Sequence, residues 1–499
     1  MNKLEKWKKQ KTQSKKNKQP LDTTIKKFIR IEARKKQNKG YYYQKKAPKE
    51  MVKAKREGEI ILGFKDPETQ EQLVKITKEQ RKAQIDKKKE LLKNKVSVEN
   101  LGKGPSIVIS GGKRGAGKSI LASLIGIDQL AQEDKNHFMA VDPQAELRHH
   151  LKPNLKDEEL FESFDLEPFG HQQEEMNNNP ELKFYTPYFL EDHYPEEKQG
   201  KLTQLNSDNL HYKDLEKLIE TYLPKTGKQK LLDRFQDRLY QYLKKERGYD
   251  LEKTAITGET PPKIEELTKH IARGKSEEKR RKNQVLRTLR KIISLGILGE
   301  KTPYHDPINE MENGDIPVFQ TSTSDEWKTA ISTYLSPILN EIYRDKARRD
   351  KGKPHRLEKD QFILQAEEAD VLYPQGRKLP AKKQISRYLK AGRQLGTGMV
   401  LTSPSFNSIA SEDDYTLIKQ SFIITARITN DVERKIIQRK LGGINYNHPK
   451  IKKIQNLSYK TERLKKGMAP AEFALIDPGG RIETFYPIPS FSDFKREEP

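Results

Sequence analysis

The segment that most constrains what this chain can fold into is Gly111 to Ser119, G-G-K-R-G-A-G-K-S. Gly112 to Ser119 match G-x-x-x-x-G-K-[ST], a phosphate-binding loop. Ser106 to Ser110 (S-I-V-I-S) reads as a buried strand before it. Ile120 to Gln132 carries Ile120, Leu121, Leu124, Ile125 and Leu130 at helical spacing after it. A loop between strand and helix is the setting in which this motif works: glycines let backbone N–H groups turn inward, and the helix N-terminus adds its positive end. The nucleotide-contacting candidates are therefore Gly112, Lys113, Arg114, Gly115, Ala116, Gly117, Lys118 and Ser119. Lys118 is expected to reach the β/γ-phosphates and the Ser119 hydroxyl to bind Mg²⁺, so ATP and Mg²⁺ are the expected cofactors.

The rest of the chain departs from an average globular protein. Only 33% of its 499 residues are hydrophobic, 34% are charged, and the net charge is +25. Such a balance points to a polyanionic partner, nucleic acid before anionic lipid. With no cysteine, disulfides and thiol chemistry are excluded. No apolar run approaches the roughly 18 residues of a membrane-spanning helix, and the first residues lack an apolar signal core. A cytoplasmic protein, open to recruitment by a membrane complex, is expected.

Five units are expected along the chain. Residues 1–58 form a lysine-rich arm, flexible or helical, too poor in apolar side chains to fold alone. Residues 59–103 form a small segment in which Ile60, Ile61, Leu62 and Phe64, a turn at Asp66-Pro67, and Leu73 to Ile76 suggest a hairpin before a charged helix. Residues 104–147 and 311–490 alternate strands and helices, an α/β nucleotide-binding core. Residues 148–310 form a mainly helical insertion, with amphipathic runs at Leu231, Phe235, Leu239 and Leu243 and at Val285, Leu286, Leu289 and Ile292. Residues 491–499 are a tail. The charged run Lys275 to Lys282 reads as a solvated face, and His149 and His150 lack metal-ligand spacing.

A phosphate-loop ATPase needs a second acidic element to complete the Mg²⁺ shell and activate water. The strand Ile363-Leu364-Gln365-Ala366, ending in Glu367-Glu368, is expected to supply it from beside the first strand. Glu367 is assigned to the metal and Glu368 to water activation as general base. Asp142, at the end of the strand His137 to Val141, is either a site group or a capping residue. A cation at the γ-phosphate is expected from Arg393, with Arg427 second, and a γ-phosphate-sensing polar group from Thr402 or Ser403.

This order resembles the HerA–FtsK superfamily of DNA-pumping ATPases, in the branch of HerA-like and conjugative type IV secretion ATPases. The resemblance covers roughly residues 104–490. It is carried by G-K-R-G-A-G-K-S (112–119), V-D-P-Q-A-E-L (141–147), F-Y-T-P (184–187), E-E-A-D (367–370) and A-G-R-Q-L-G-T-G-M-V-L-T-S-P-S (391–405). It implies a RecA-like core, a homohexameric ring, and double-stranded DNA moved in conjugation, packaging or DNA processing. It also implies partners such as a nuclease, a relaxase or a membrane channel protein. By the same resemblance Lys118 and Ser119 are the nucleotide lysine and Mg²⁺ hydroxyl, Glu368 the catalytic glutamate, and Arg393 the arginine of the G-R element. Glu367 stands where the family has aspartate, and Thr402 where it has glutamine. Two alternatives remain: a secretion or pilus-assembly ATPase moving protein, and a partition switch resembling ParA and MinD, which carry an extra lysine at the Lys113 position. Arg114 and the later G-R element do not fit the second.

Overall fold

The computed structural model describes residues 59–66, 68–79, 85–98, 104–111, 115–151, 161, 180–206, 210–246, 264–273, 279–377, 379–409, 415–428, 430–459 and 471–490. The basic arm, the C-terminal tail, Gly112 to Arg114 and residues 275–278 of the charged run lie outside the described residues.

Among the described residues one twelve-stranded sheet, in the order β2-β1-β12-β11-β10-β3-β9-β8-β4-β7-β5-β6, organises the chain. Its strands are β1 (Ile60–Phe64), β2 (Lys95–Val98), β3 (Ser106–Ser110), β4 (Asn136–Asp142), β5 (Leu182–Pro187), β6 (Lys201–Thr203), β7 (Ile316–Gln320), β8 (Gln361–Ala366), β9 (Thr397–Thr402), β10 (Phe422–Thr425), β11 (Phe473–Ile476) and β12 (Ile482–Pro487). From β10 to β6 every neighbouring pair is parallel, and from β10 to β2 every pair is antiparallel. Parallel strands are covered on both faces, which is why β3 and β8 read as unbroken apolar runs. Alternation inside β3 still sorts the two cores. Ile107 and Ile109 join the cluster of the helix α3 (Lys118–Ile125; α1 and α2 are given below), while Val108 joins the cluster on the opposite face.

One expectation is corrected here. The stretch 59–76 is not a hairpin: β1 is followed by the helix α1 (Glu68–Glu79) and then α2 (Ile85–Leu92). Asp66 starts that helix, its carboxylate accepting from the Thr69 N–H (2.9 Å) and hydroxyl (2.6 Å), so a residue read as a turn is a helix cap. β1 and β2 instead pair at the sheet's antiparallel edge. Within the insertion, β5 and β6 add parallel strands beyond β7.

The helices of the insertion are α4 (Tyr212–Tyr222), α5 (Lys228–Glu246), α6 (Ile264–Arg273) and α7 (Lys279–Ser294). They bury Leu231, Phe235, Leu239, Leu243, Val285, Leu289 and Ile292 in the same cluster as the helix α9 (Lys328–Asp350), which follows the short α8 (Pro307–Glu312). Asp214 of α4, 2% exposed, fixes the insertion to α9 by accepting from Asn340 (2.7 Å) and Arg344 (2.7 Å). Lys217 adds a third donor at 3.3 Å, so this buried carboxylate is satisfied by charged and polar partners. Among the described residues no helix is long and apolar enough to cross a membrane.

Candidate functional site

The site lies at the carboxyl ends of the central parallel strands, where α/β sheets place their ligands. β3 is followed by Gly111, whose φ of +82° turns the chain out of the sheet. A Cβ there would lie 2.4 Å from the Thr425 hydroxyl at the end of β10, so both backbone sign and space demand glycine. Gly117, at φ +90°, caps α3 in the left-handed region, and its carbonyl accepts from the Leu121 N–H at 3.0 Å. Lys118 and Ser119 are then the first two residues of the helix, where unpaired N–H groups and the positive dipole end favour an anion. Gly112, Lys113 and Arg114 lie outside the described residues. Ala116 is buried, and the Gly115 carbonyl accepts from the Tyr459 hydroxyl at 3.4 Å.

The acidic element is not beside β3. β9 pairs with β3 on one edge and β8 on the other, so Glu367 and Glu368 stand one strand further across. Sequence order conceals this, because β9 comes after β8 in the chain. Glu367 is 4% exposed, and its N–H donates to the Val141 carbonyl at 3.1 Å. Burial, then the charges of Asp142, Glu146 and Glu368, hold its carboxyl well above the usual carboxylate range, opposed by the Gln365 amide. Such a group has its ionised form restored by a nearby dication. Among the described residues no three acidic or histidine side chains converge to hold a metal by themselves. Mg²⁺ takes one or two protein oxygens and completes its shell with phosphates and water. The oxygens of Ser119 and Glu367 are of the right hard type.

Glu368 is half-buried and adopts φ 48°, ψ 54°, a left-handed backbone unusual for a residue with a side chain. Its carboxylate accepts from the Gln144 amide at 3.3 Å. Asp142 proves to be a capping residue. Fully buried, it accepts from the N–H groups of Gln144 (3.2 Å), Glu146 (3.1 Å) and Leu147 (2.9 Å), and burial raises its pKa against those three bonds.

β9 ends in Thr402, 5% exposed, and Ser403, whose N–H donates to the Ile109 carbonyl at 3.0 Å. The Ser403 hydroxyl bonds the Ser405 carbonyl (2.8 Å) and is thus turned into its own loop, so of the two sensor candidates Thr402 is the one not committed in this way. Arg393 lies in the last turns of the helix α10 (Pro380–Leu395); its side chain lies outside the described residues. Arg427 is exposed, two residues beyond β10.

One residue the sequence did not single out belongs here. Glu433 opens the helix α13 (Asp431–Lys440), which follows the short helices α11 (Phe406–Ile409) and α12 (Tyr415–Gln420) and precedes α14 (Pro449–Gln455). It is 3% exposed, and its carboxylate accepts from the Phe406 N–H at 3.3 Å. Burial raises its pKa; the Phe406 N–H, the Ser405 hydroxyl and the Lys118 charge oppose that rise. In sequence, Asn430-x-x-Glu433 reads only as a helix start, which it also is: the Asn430 side chain accepts from the Glu433 N–H at 2.8 Å.

A phosphate loop on a central parallel strand, with a buried two-carboxylate strand end two strands away, defines an α/β P-loop NTPase. Residues 112–342 match the family model of the helicase HerA central domain. A probable helicase of Methanocaldococcus jannaschii is 27% identical over 157 residues, 32% of this chain and 29% of that protein, so the match spans less than a third of that relative's length. VirB4 of Thermoanaerobacter pseudethanolicus aligns with a TM-score of 0.48 and 12% identity over 88% of this chain and 98% of that one. The genome packaging NTPase of Sulfolobus turreted icosahedral virus 2 aligns with a TM-score of 0.23 and 15% identity over 35% of this chain and 68% of that one. Over residues 112–342, a little under half of its length, the chain is similar to the HerA central domain.

Proposed function

We propose that this protein hydrolyses ATP with Mg²⁺ and uses it to move double-stranded DNA, working as a homohexamer. The observation that carries the hydrolytic part is the buried strand end of β8, with Glu367 shielded and Glu368 at its edge, two strands from the strand that leads into the phosphate loop. Lys118 neutralises the phosphates, and Ser119 and Glu367 hold the ion. The ion, when bound, offsets the charge developing on the transferred phosphoryl group. Glu368 takes the proton of the attacking water, Thr402 contacts the γ-phosphate, and Arg393, or Arg427, supplies the cation from a neighbouring subunit.

Support for a nucleic-acid substrate comes from charge. Besides the net +25 of the whole chain, α7 exposes Lys279, Arg280, Arg287, Arg290 and Lys291 on the face away from its buried Val285, Leu289 and Ile292. We therefore divide the chain into the arm 1–58, the segment 59–103, the ATPase core of 104–147 and 311–490, the insertion 148–310 and the tail 491–499. The arm and the insertion provide the phosphate contacts.

The test is ATP turnover by the full-length protein with and without linear duplex DNA. We expect several-fold stimulation at low salt that falls steeply as salt rises, with a hexamer by mass measurement in the presence of nucleotide. Turnover indifferent to DNA at low salt refutes the DNA reading and favours a protein-moving ATPase. A nucleotide-dependent dimer favours a partition-type switch.

A further inference from the structure

Three large apolar side chains stand well exposed among the described residues: Val432 at 42%, Tyr446 at 45% and Tyr459 at 49%. A single exposed ring needs no explanation by itself; surroundings distinguish these three. Val432 lies on α13. Tyr446 has the Arg434 guanidinium 4.2 Å from its ring centroid, which covers one face. Tyr459 lies against the phosphate loop, its hydroxyl donating to the Gly115 carbonyl at 3.4 Å across 344 positions of chain. The backbone that carries this ring is fixed. Tyr459 follows α14 and forms an antiparallel bridge with Ala471, two residues before β11. Beside that bridge the Glu472 N–H donates to the Ser458 carbonyl at 3.0 Å. The Glu472 carboxylate accepts in return from the Ser458 N–H (3.1 Å) and hydroxyl (3.0 Å), and the Ser458 hydroxyl also meets that of Tyr486 in β12. Leu457, 4% exposed, anchors the same stretch in the core.

An aromatic side chain held in place before its ligand arrives loses little freedom when something stacks on it. A nucleoside triphosphate with its outer phosphates at the start of α3 carries its ribose and base beyond the loop, and a base offers two flat faces to an aromatic ring. We propose that Tyr459 is the platform on which the base of the bound nucleotide stacks, and that its ring favours purine over pyrimidine triphosphates because a purine has more area to stack. Stacking reads the face of the base and not its edge, so this contact serves adenine and guanine alike. The inference rests on the reading above in which residues 112–119 bind the phosphates.

The test uses full-length protein, parent and Tyr459→Ala and Tyr459→Phe, with calorimetric affinities for three probes in Mg²⁺ buffer: the β,γ-methylene analogues of ATP and CTP, and inorganic tripolyphosphate. Tyr459→Ala is expected to weaken the ATP analogue roughly five- to thirtyfold, the scale of one base–aromatic stack, and the CTP analogue by less. Tripolyphosphate, which has no base, should bind within about twofold of the parent, and this also shows that the variant is folded with its phosphate loop intact. Tyr459→Phe keeps the ring and removes the hydroxyl, so its affinities for all three probes should stay within about twofold of the parent. Tyr459→Ala weakening tripolyphosphate as much as the ATP analogue would show that the ring merely props the loop, and overturns the inference. So does a Tyr459→Phe protein as weak as Tyr459→Ala, which would assign the effect to the hydroxyl on Gly115, or a Tyr459→Ala protein that binds the ATP analogue as the parent does. A parent that binds neither tripolyphosphate nor the ATP analogue refutes the phosphate-loop reading itself, and the inference with it.

Discussion

Replacing Gly111 by alanine isolates how tightly the phosphate loop is built into the sheet. Gly111 leaves β3 at φ +82°, a conformation costing an alanine about 1–2 kcal/mol. The added methyl would also sit 2.4 Å from the Thr425 hydroxyl oxygen. Carbon and oxygen cannot remain that close, and Thr425 is poorly placed to yield. It is buried, and its hydroxyl donates to the Ala426 carbonyl at 2.9 Å. Rotating it away gives up that bond inside the protein, worth about 1–2 kcal/mol more. The sum is a loss of about 2–4 kcal/mol, read as a lowered urea midpoint, with weaker ATP binding because the loop starts from a displaced residue. In a Thr425→Ala background, where the obstructing oxygen and its bond are already gone, Gly111→Ala should cost only the backbone share of about 1–2 kcal/mol. Refutation would be a Gly111→Ala protein within about 0.5 kcal/mol of the parent, or a Gly111→Ala cost no smaller in the Thr425→Ala background than in the parent.

Two further outcomes are expected. Glu433→Gln removes a negative charge facing Lys118 while keeping an oxygen for the Phe406 N–H. Calorimetry should therefore show tighter binding of ATP, roughly two- to fivefold for a partly screened charge pair, with AMP affinity unchanged if, as proposed, Lys118 serves the outer phosphates. Glu341 of α9 is held up to about 7, by burial first and then by the Asp306 charge. A carboxyl whose folded pKa exceeds its unfolded value contributes most at acid pH and loses that contribution as pH rises through the folded pKa. The stability of the parent relative to Glu341→Gln should thus fall between pH 4.5 and 7 and level off above, in urea midpoints taken across that range.

Much of this site was legible because its chemistry is local. The phosphate loop, its strand and its helix are contiguous, and β8, β9 and α10 carry apolar patterns strong enough to be read without partners. The errors share a cause, which is that pairing is non-local. The apolar residues after Asp66 suit strand or helix equally, and the Asp66 cap decided for helix. F-Y-T-P at 184–187 shows nothing in sequence of its place beside β7, because its partner strand is more than a hundred residues later. The Asp142 carboxylate was read as site group or cap, and only its three backbone donors settled it as a cap.

By itself, then, the sequence determined that this chain carries a phosphate-loop motif at a strand–helix junction and a carboxylate pair at the end of a buried strand. Those properties follow from backbone freedom at glycine, apolar periodicity and side-chain type, which act over a few residues. Only the tertiary structure decided which elements face one another. It put β9 between the phosphate loop and the acidic pair, brought Glu433 to Lys118, and set Gln144 against Glu368, 224 positions away. Such contacts depend on how a twelve-stranded sheet closes its order, a matter of packing both faces at once, and no window of sequence contains that information.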